Sequence, residues 1–409
     1  MSAEGPPTEY DDLLENWDPR DKRLAHPFPV YRELLERCPV THSDRYGGFW
    51  LFSRYDDVAK VASDHGTFSS ASGISMPPYG NERPMMPIEL DPPEQGHFRR
   101  ALSPRLSARR VGELEPFLRR QARELLAPLA EGDDYDFVRD FAAPYPILAF
   151  WQEPFMGPPV PSPVVGDDWL AAFQEWSYLM HHDDERSGEG TDNMHRYIEV
   201  VLDDRRKNPR DDMPTQLLTG EVGGRRLTIE EIHDTLLLFF SAGIETTSSA
   251  LGNIIHFLAH HPEARQQLVD DPQVIPAAVE ELLRLVGPSQ AVRRTATMDT
   301  EISGCPVGKG ESVVISWGAA NLDPAQFQDP EAFAAERSPN PHLAFGKGVH
   351  KCQGLHFARL ELKVALEELL AVAPDFAIAV PEEQLEWKVG IDRALKSLPL
   401  LREPASGTP

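Results

Sequence analysis

Most apolar positions in this chain recur at helical spacing. Leu355, Ala358, Leu362, Ala365, Leu366, Leu369 and Leu370 fall on one face of an amphipathic helix. A second stripe, Ile275, Ala278, Val279, Leu282 and Val286, predicts a helix over Ile275–Val286. The longest helix begins at Thr228, where Thr228 and Glu231 form a capping box and Leu227 with Ile232 can make a hydrophobic staple. Helical composition then runs to about His260, where His261-Pro262 stops it. Roughly thirty residues reach on the order of 45–50 Å, the width of a whole domain. The first half of this helix is apolar all round, which places it in the interior. Shorter helical patterns cover about Val30–Arg37 and, in pieces, Gln95–Ala130.

Period-two patterning is scarce. It predicts a ribbon around Phe49–Ser53 and strands around Glu301–Ser303 and Val313–Ser316, joined through Gly308-Lys309-Gly310. Between these elements, Ser69–Glu89 is rich in Gly, Pro and Ser and reads as a long loop, a kind that is often functional. No helix can cross Gly157-Pro158-Pro159-Val160-Pro161-Ser162-Pro163, and the acidic, Gly-rich Asp183–Asp192 reads as an exposed loop. There are no internal repeats. The pattern predicts a mainly α fold with a small β portion: a loosely ordered segment 1–20, a single domain 21–402 and a flexible tail 403–409.

Composition narrows the function. With 41% apolar residues the chain can bury a large core, and a net charge of −25 argues against nucleic acid as a partner. Three cysteines without Cys-x-x-Cys spacing suggest a reducing compartment. Met1–Asn16 is acidic and polar with no apolar leader, and the longest apolar run, Leu236–Phe240, is too short for a bilayer. A cytoplasmic protein without membrane contact is expected.

The chemistry concentrates in Phe345-Gly346-Lys347-Gly348-Val349-His350-Lys351-Cys352-Gln353-Gly354, a glycine-rich loop running into the Leu355 helix. Cys352 sits at a helix N-terminus, where unpaired N–H groups favour a thiolate, and a thiolate so held is a good axial ligand for haem iron. Alone, such a cysteine is usually a small buried hydrophobe. Zinc is a poor reading of His350-x-Cys352, because Cys38 and Cys305 lie far away. The order Phe-x-x-Gly-x-His-x-Cys-x-Gly-x-x-x-Ala, from Phe345 to Ala358, resembles the haem-binding signature of the cytochrome P-450 family at each defining position.

Other stretches extend the resemblance from about Ala25 to Pro399, weakest across Gly157–Asp192. Ala242-Gly243-Ile244-Glu245-Thr246-Thr247, in the long helix, is similar to the family's oxygen-binding segment. Glycine there costs about 1 kcal/mol and needs a packing or functional reason. On residues alone, the threonines could simply back-bond to the helix; the resemblance implies that Thr246 supplies a hydrogen bond and Glu245 connects it to solvent protons. Glu281-x-x-Arg284 reads locally as a surface ion pair, whereas the family's matching motif is buried and structural, bracing the cysteine loop.

The resemblance implies a haem b held by Cys352, framed by Phe345, Gly346 and Gly354, with propionates met by Arg99, Arg294 and His350. Gln95 stands where many relatives carry His. Candidate substrate contacts are Met85, Met86 and Ile88 in the long loop, Leu238, Ser241 and Ala242 on the long helix, Gln290, Ala291 and Ala394. Leu395-Lys396-Ser397-Leu398-Pro399 resembles the family's C-terminal substrate segment. The implied activity is haem-thiolate monooxygenation of a small apolar compound (terpenoid, aromatic, fatty or steroid-like), with electrons from ferredoxin and its NAD(P)H-dependent reductase. Arg99, Arg100, Arg105, Arg109, Arg110, Lys347 and Lys351 would gather positive charge for the ferredoxin. A peroxide-driven enzyme would usually carry Arg-Pro in place of Glu245-Thr246, and a haem sensor has no need of a proton-delivering pair.

Overall fold

The computed structural model describes residues 8–402 apart from 79–82, 133, 153–154 and 183–184. The expected flexible tail and residues 1–7 therefore lie outside the described residues. Residues 8–20 are not loose: a helix over Asp11–Glu15 carries Leu13 and Leu14 into the core, and Trp17 is buried beside them. Burying three large apolar side chains offsets the ordering cost of so short a segment.

Helices dominate. The long helix runs Ile229–His260, 32 residues, and its capping box is formed in both directions: the Thr228 hydroxyl accepts from Glu231 N, and the Glu231 carboxylate accepts from Thr228 N at 2.8 Å. Pro262 opens the next helix immediately after its end. This central helix packs against the helices Pro144–Phe150, Ser187–Lys207, Ile275–Val286 and Leu355–Val372, so one element touches most of the core. No helix among the described residues is long and apolar enough to cross a membrane.

The β portion is a five-stranded sheet plus small ribbons. In the sheet, Val40–Ser43 pairs antiparallel with Phe49–Phe52, which pairs parallel with Ser312–Ser316; Ala291–Ala296 and Phe68–Ser69 complete the order. Phe52, Phe68, Val313 and Ile315 close a second apolar core beneath it. The strand near residue 301 pairs with Cys305–Val307, a partner the periodicity did not single out.

A second expectation also fails. Residues 187–192, expected in an exposed loop, are the first turns of the helix Ser187–Lys207. Gly190 is the reason: it is buried against the helix Trp169–His182, where a Cβ would stand 2.6 Å from the Trp176 carbonyl oxygen. The glycine there permits two helices to approach closely and does not mark a loop.

Candidate functional site

The cysteine loop is built by its backbone. Gly346 and Gly348 take φ of +66° and +73°, and at Gly348 a Cβ would stand 2.4 Å from the Ala62 carbonyl oxygen. No other residue fits that position. The Cys352 N–H donates to the Phe345 carbonyl at 2.7 Å, closing the loop just before the helix Leu355–Val372.

A buried ion pair holds this loop from behind. Glu281 and Arg284 are fully buried and bidentate, at 2.8 Å on both arms. Arg337 and Asn340 also donate to Glu281, at 2.9 and 3.2 Å. Arg284 donates to the carbonyl of Asn321, whose side-chain oxygen accepts from Leu343 N at 2.7 Å, two residues before Phe345. Adjacent Glu280, which the sequence reading did not single out, meets Arg359 on both oxygens at 2.6 Å and His342 at 3.1 Å. Burial pushes the Glu280 carboxyl up, but Arg359 and His342 outweigh it and hold it at about 2.

In front of the loop lies a mainly apolar cavity, shared between the cysteine loop and the central helix. Cys352, Phe345, Gly346, His350, Gly354, Arg99 and Arg294 form one side. Thr246, Ala242, Gly243, Leu238 and Ile88 line it as well. The structure therefore brings together the predicted cofactor residues, one of the two catalytic residues and three of the nine substrate-contact residues.

The others lie elsewhere. Gln290 spends its amide on Tyr31, Gly287 and Pro288, at 2.8, 2.7 and 3.1 Å, and together with Ala291 faces a different small cavity. Ser241 is turned to His181, its oxygen 2.7 Å from Nε2. Pro87 and Ile88 reach the cavity in place of Met85 and Met86, because the Glu89 carboxylate folds the loop back by accepting from Met85 N. Ala394 lines a neighbouring cavity on the far side of the central helix.

Glu245 faces that neighbouring cavity too, with Gln174, Ser177, Tyr178 and His182. Its carboxylate is 3.0 Å from His182 Nε2, 3.9 Å from His181 Nδ1, and accepts from Ser249 at 3.1 Å. Burial opposes its charge, yet the histidines and Lys388 hold it at about 2. Burial pushes His181 down. Thr246, one residue on, points to the cysteine cavity and donates to the Ala242 carbonyl at 2.7 Å. Sequence reasoning missed His181 and His182, which lie where the family resemblance is weakest. It also missed Glu361, fully buried on the cysteine helix, which accepts from Thr247 at 3.3 Å and whose carboxyl is pushed well up by burial.

The residues fit a haem. Burial raises the Cys352 thiol, against the N–H of Gly354 and the charge of Arg99, so a thiolate in this place calls for a cation on the sulfur. Arg294 is buried, and no carboxylate of the described residues lies within ion-pair distance of it or of Arg99. Burial pushes the Arg294 guanidinium down to about 10. His350 Nε2 is buried without a hydrogen-bond partner. Two cations and an unpartnered imidazole beside a thiol suit a flat, iron-bearing dianion. At Gly243 an added Cβ would meet only the Phe150 ring at 3.6 Å, so protein packing does not demand the glycine. Its small size serves the cavity.

Comparison with known proteins agrees. Residues 167–384 match the family model described as Cytochrome P450. The chain is 35% identical over 369 residues to mycinamicin IV hydroxylase/epoxidase of Micromonospora griseorubida, covering 88% of this chain and 91% of that protein. Its fold is similar to that of a mutant of P450 EryK in complex with erythromycin B (TM-score 0.82, 32% identity, 94% and 99% of the two chains). It is likewise similar to CYP109E1 from Bacillus megaterium in complex with corticosterone (TM-score 0.80, 27% identity, 93% and 100%).

Proposed function

Because the chain belongs to the cytochrome P450 family of haem-thiolate monooxygenases, we propose that it oxygenates a bulky, mainly apolar organic molecule of steroid, terpenoid or macrolide size. The single observation that carries this reading is the cavity itself. Away from the cysteine it is walled by Ile88, Leu238, Phe239 and Val292, an apolar surface set apart from the residues that would hold the cofactor. The relatives solved with erythromycin B and with corticosterone are consistent with that size.

The family's cofactor, haem b on a cysteine thiolate, supplies the iron chemistry that reduces dioxygen. Within this chain Cys352 would hold its iron, and Arg99, Arg294 and His350 its propionates. Thr246 offers a hydroxyl to the cavity, and Glu245 takes protons from solvent on the other side of the helix. His182, and His181 behind it, fix that carboxylate and are the first groups a proton meets on its way in.

Electrons would come from a small acidic ferredoxin. Arg105 and Arg110 are committed to Asp211 and Arg99 to the cavity, which leaves Arg100, Arg109, Lys347 and Lys351 exposed on the cysteine side of a strongly acidic chain. The test is a spectral screen of the haem-loaded protein against steroids, terpenoids, macrolides and small aromatics. A substrate-induced Soret shift is expected for the larger classes, followed by ferredoxin-dependent NAD(P)H consumption that yields oxygenated product. A shift restricted to small aromatics would overturn the size assignment.

A further inference from the structure

The carboxyl end of the central helix carries His256 and His260, four residues apart and therefore on one face. Both rings turn toward one carboxylate. His256 Nε2 stands 3.0 Å from each oxygen of Glu382, and His260 Nε2 stands 3.4 Å from Oε2. All three ligand atoms lie within 4.8 Å of one another. We infer that this cluster is a site for a divalent transition metal of the zinc class, bound by His256 Nε2, His260 Nε2 and a Glu382 oxygen.

Spacing is the first argument. With bonds of about 2.0–2.2 Å, tetrahedral ligands of zinc stand roughly 3.3–3.5 Å apart. The two histidine–Glu382 separations, 3.0 and 3.4 Å, are close to that, and the two imidazole nitrogens, within 4.8 Å of each other, would draw together by side-chain rotation.

Tautomer is the second, independent argument. His260 Nδ1 lies 2.9 Å from the His256 carbonyl oxygen, which can only accept, so Nδ1 carries a proton. In the neutral ring Nε2 then presents its lone pair to a carboxylate oxygen, which is repulsive without a cation between them. Fixing a ring through the N–H opposite its metal-binding nitrogen is what outer partners do for histidine ligands. Trp387 packs edge-on to His256 at 5.0 Å and limits its rotation. The nearby cation, Arg393, is turned away, stacked on Trp387 at 4.0 Å and donating to the Ala25 carbonyl.

Access and ligand type complete the case. The His256 side chain is 12% exposed, Glu382 32% and His260 45%, so an ion can enter without unfolding. His26, its Nε2 3.6 Å from Glu382 Oε1, is the nearest further donor; it or water would take the fourth position. Two imidazoles with one carboxylate suit zinc, cobalt, nickel or copper, whereas magnesium and calcium seek oxygen ligands. The site lies ten residues, about 15 Å, along the helix from Thr246 and does not depend on the oxygenation reading. Its occupancy would tie the central helix to the segment around residue 382.

The test uses the haem-loaded full chain without a histidine tag, stripped with chelator and titrated calorimetrically with zinc chloride. One zinc per chain with a Kd of about 1 µM or tighter is expected, with a higher melting temperature on binding. His260→Ala and Glu382→Gln should each weaken binding at least about tenfold and abolish the thermal shift. No stoichiometric uptake by the parent protein, or unchanged affinity in both variants, overturns the site.

Discussion

On the cysteine side of the cavity, residues 337–359 are held by charge: Glu281 receives Arg284, Arg337 and Asn340, while Glu280 receives Arg359 and His342. On the opposite side Ile88, Leu238, Phe239 and Val292 meet the same space through apolar side chains alone. The first wall fixes a sulfur in position, and directional bonds with a large cost of breaking do that well. The second, on the proposed reading, receives the substrate, and non-directional contacts tolerate changes of shape at little cost. Rigidity and permissiveness therefore occupy opposite sides of one cavity.

Removing the cysteine breaks the first wall most completely. Cys352→Ser should abolish the carbon monoxide band of the reduced protein from which the family takes its name, while Cys38→Ser and Cys305→Ser keep it. Next comes the brace behind it. Arg284→Ala leaves a carboxylate buried without its main partner and should cost about 3–5 kcal/mol, read by denaturant unfolding together with haem retention. A loss below about 1 kcal/mol would mean the pair is no brace.

Thr246→Ala tests the catalytic side without touching the brace. Loss of one back-bonding hydroxyl should cost only about 1 kcal/mol of stability. Product formed per NAD(P)H oxidised should nevertheless fall sharply, with hydrogen peroxide appearing in its place; parental coupling would remove Thr246 from proton handling.

Acid sharpens the contrast between the walls. The folded-state Glu280 carboxyl lies at about 2, below its ordinary 4.5. The stability it contributes is therefore present above 4.5 and is lost as pH falls from there toward 2. Glu280→Gln should flatten the acid limb of the stability curve in that window, whereas Leu238→Ala should leave its slope unchanged. The smallest effect is expected at the outer surface. Arg109→Glu and Lys347→Glu should slow reduction by ferredoxin at low salt and leave substrate-induced spectra intact; unchanged rates in both variants would move the docking face elsewhere.

The same contrast explains what could be read from the chain. The Thr228 capping box was legible because it is fixed by residues three apart, whereas the glycine-rich cysteine loop was picked out by its resemblance to a family signature, and the reason for Gly348, the distant Ala62 carbonyl, was not readable. Helix boundaries at Ile275–Val286 and near His260 followed from periodicity and Pro262. Gln290, Ser241 and Ala394 were placed in the substrate wall wrongly, because orientation there depends on Tyr31, His181 and the opposite face of the helix, all distant in sequence. Gly190 misled for a related reason: a glycine required by a neighbouring helix has the same local signature as one required by a turn.

The central helix also separates two compartments. Glu245 opens to one and Thr246, the next residue, to the other, so a single helix, about 10 Å across, serves as a septum. On the proposed reading, a proton handed from Glu245 to Thr246 is what the two sides would exchange. A polar substitution that hydrated the helix between them would act as a leak in an insulator, dissipating reducing power while every group in both chambers remained in place.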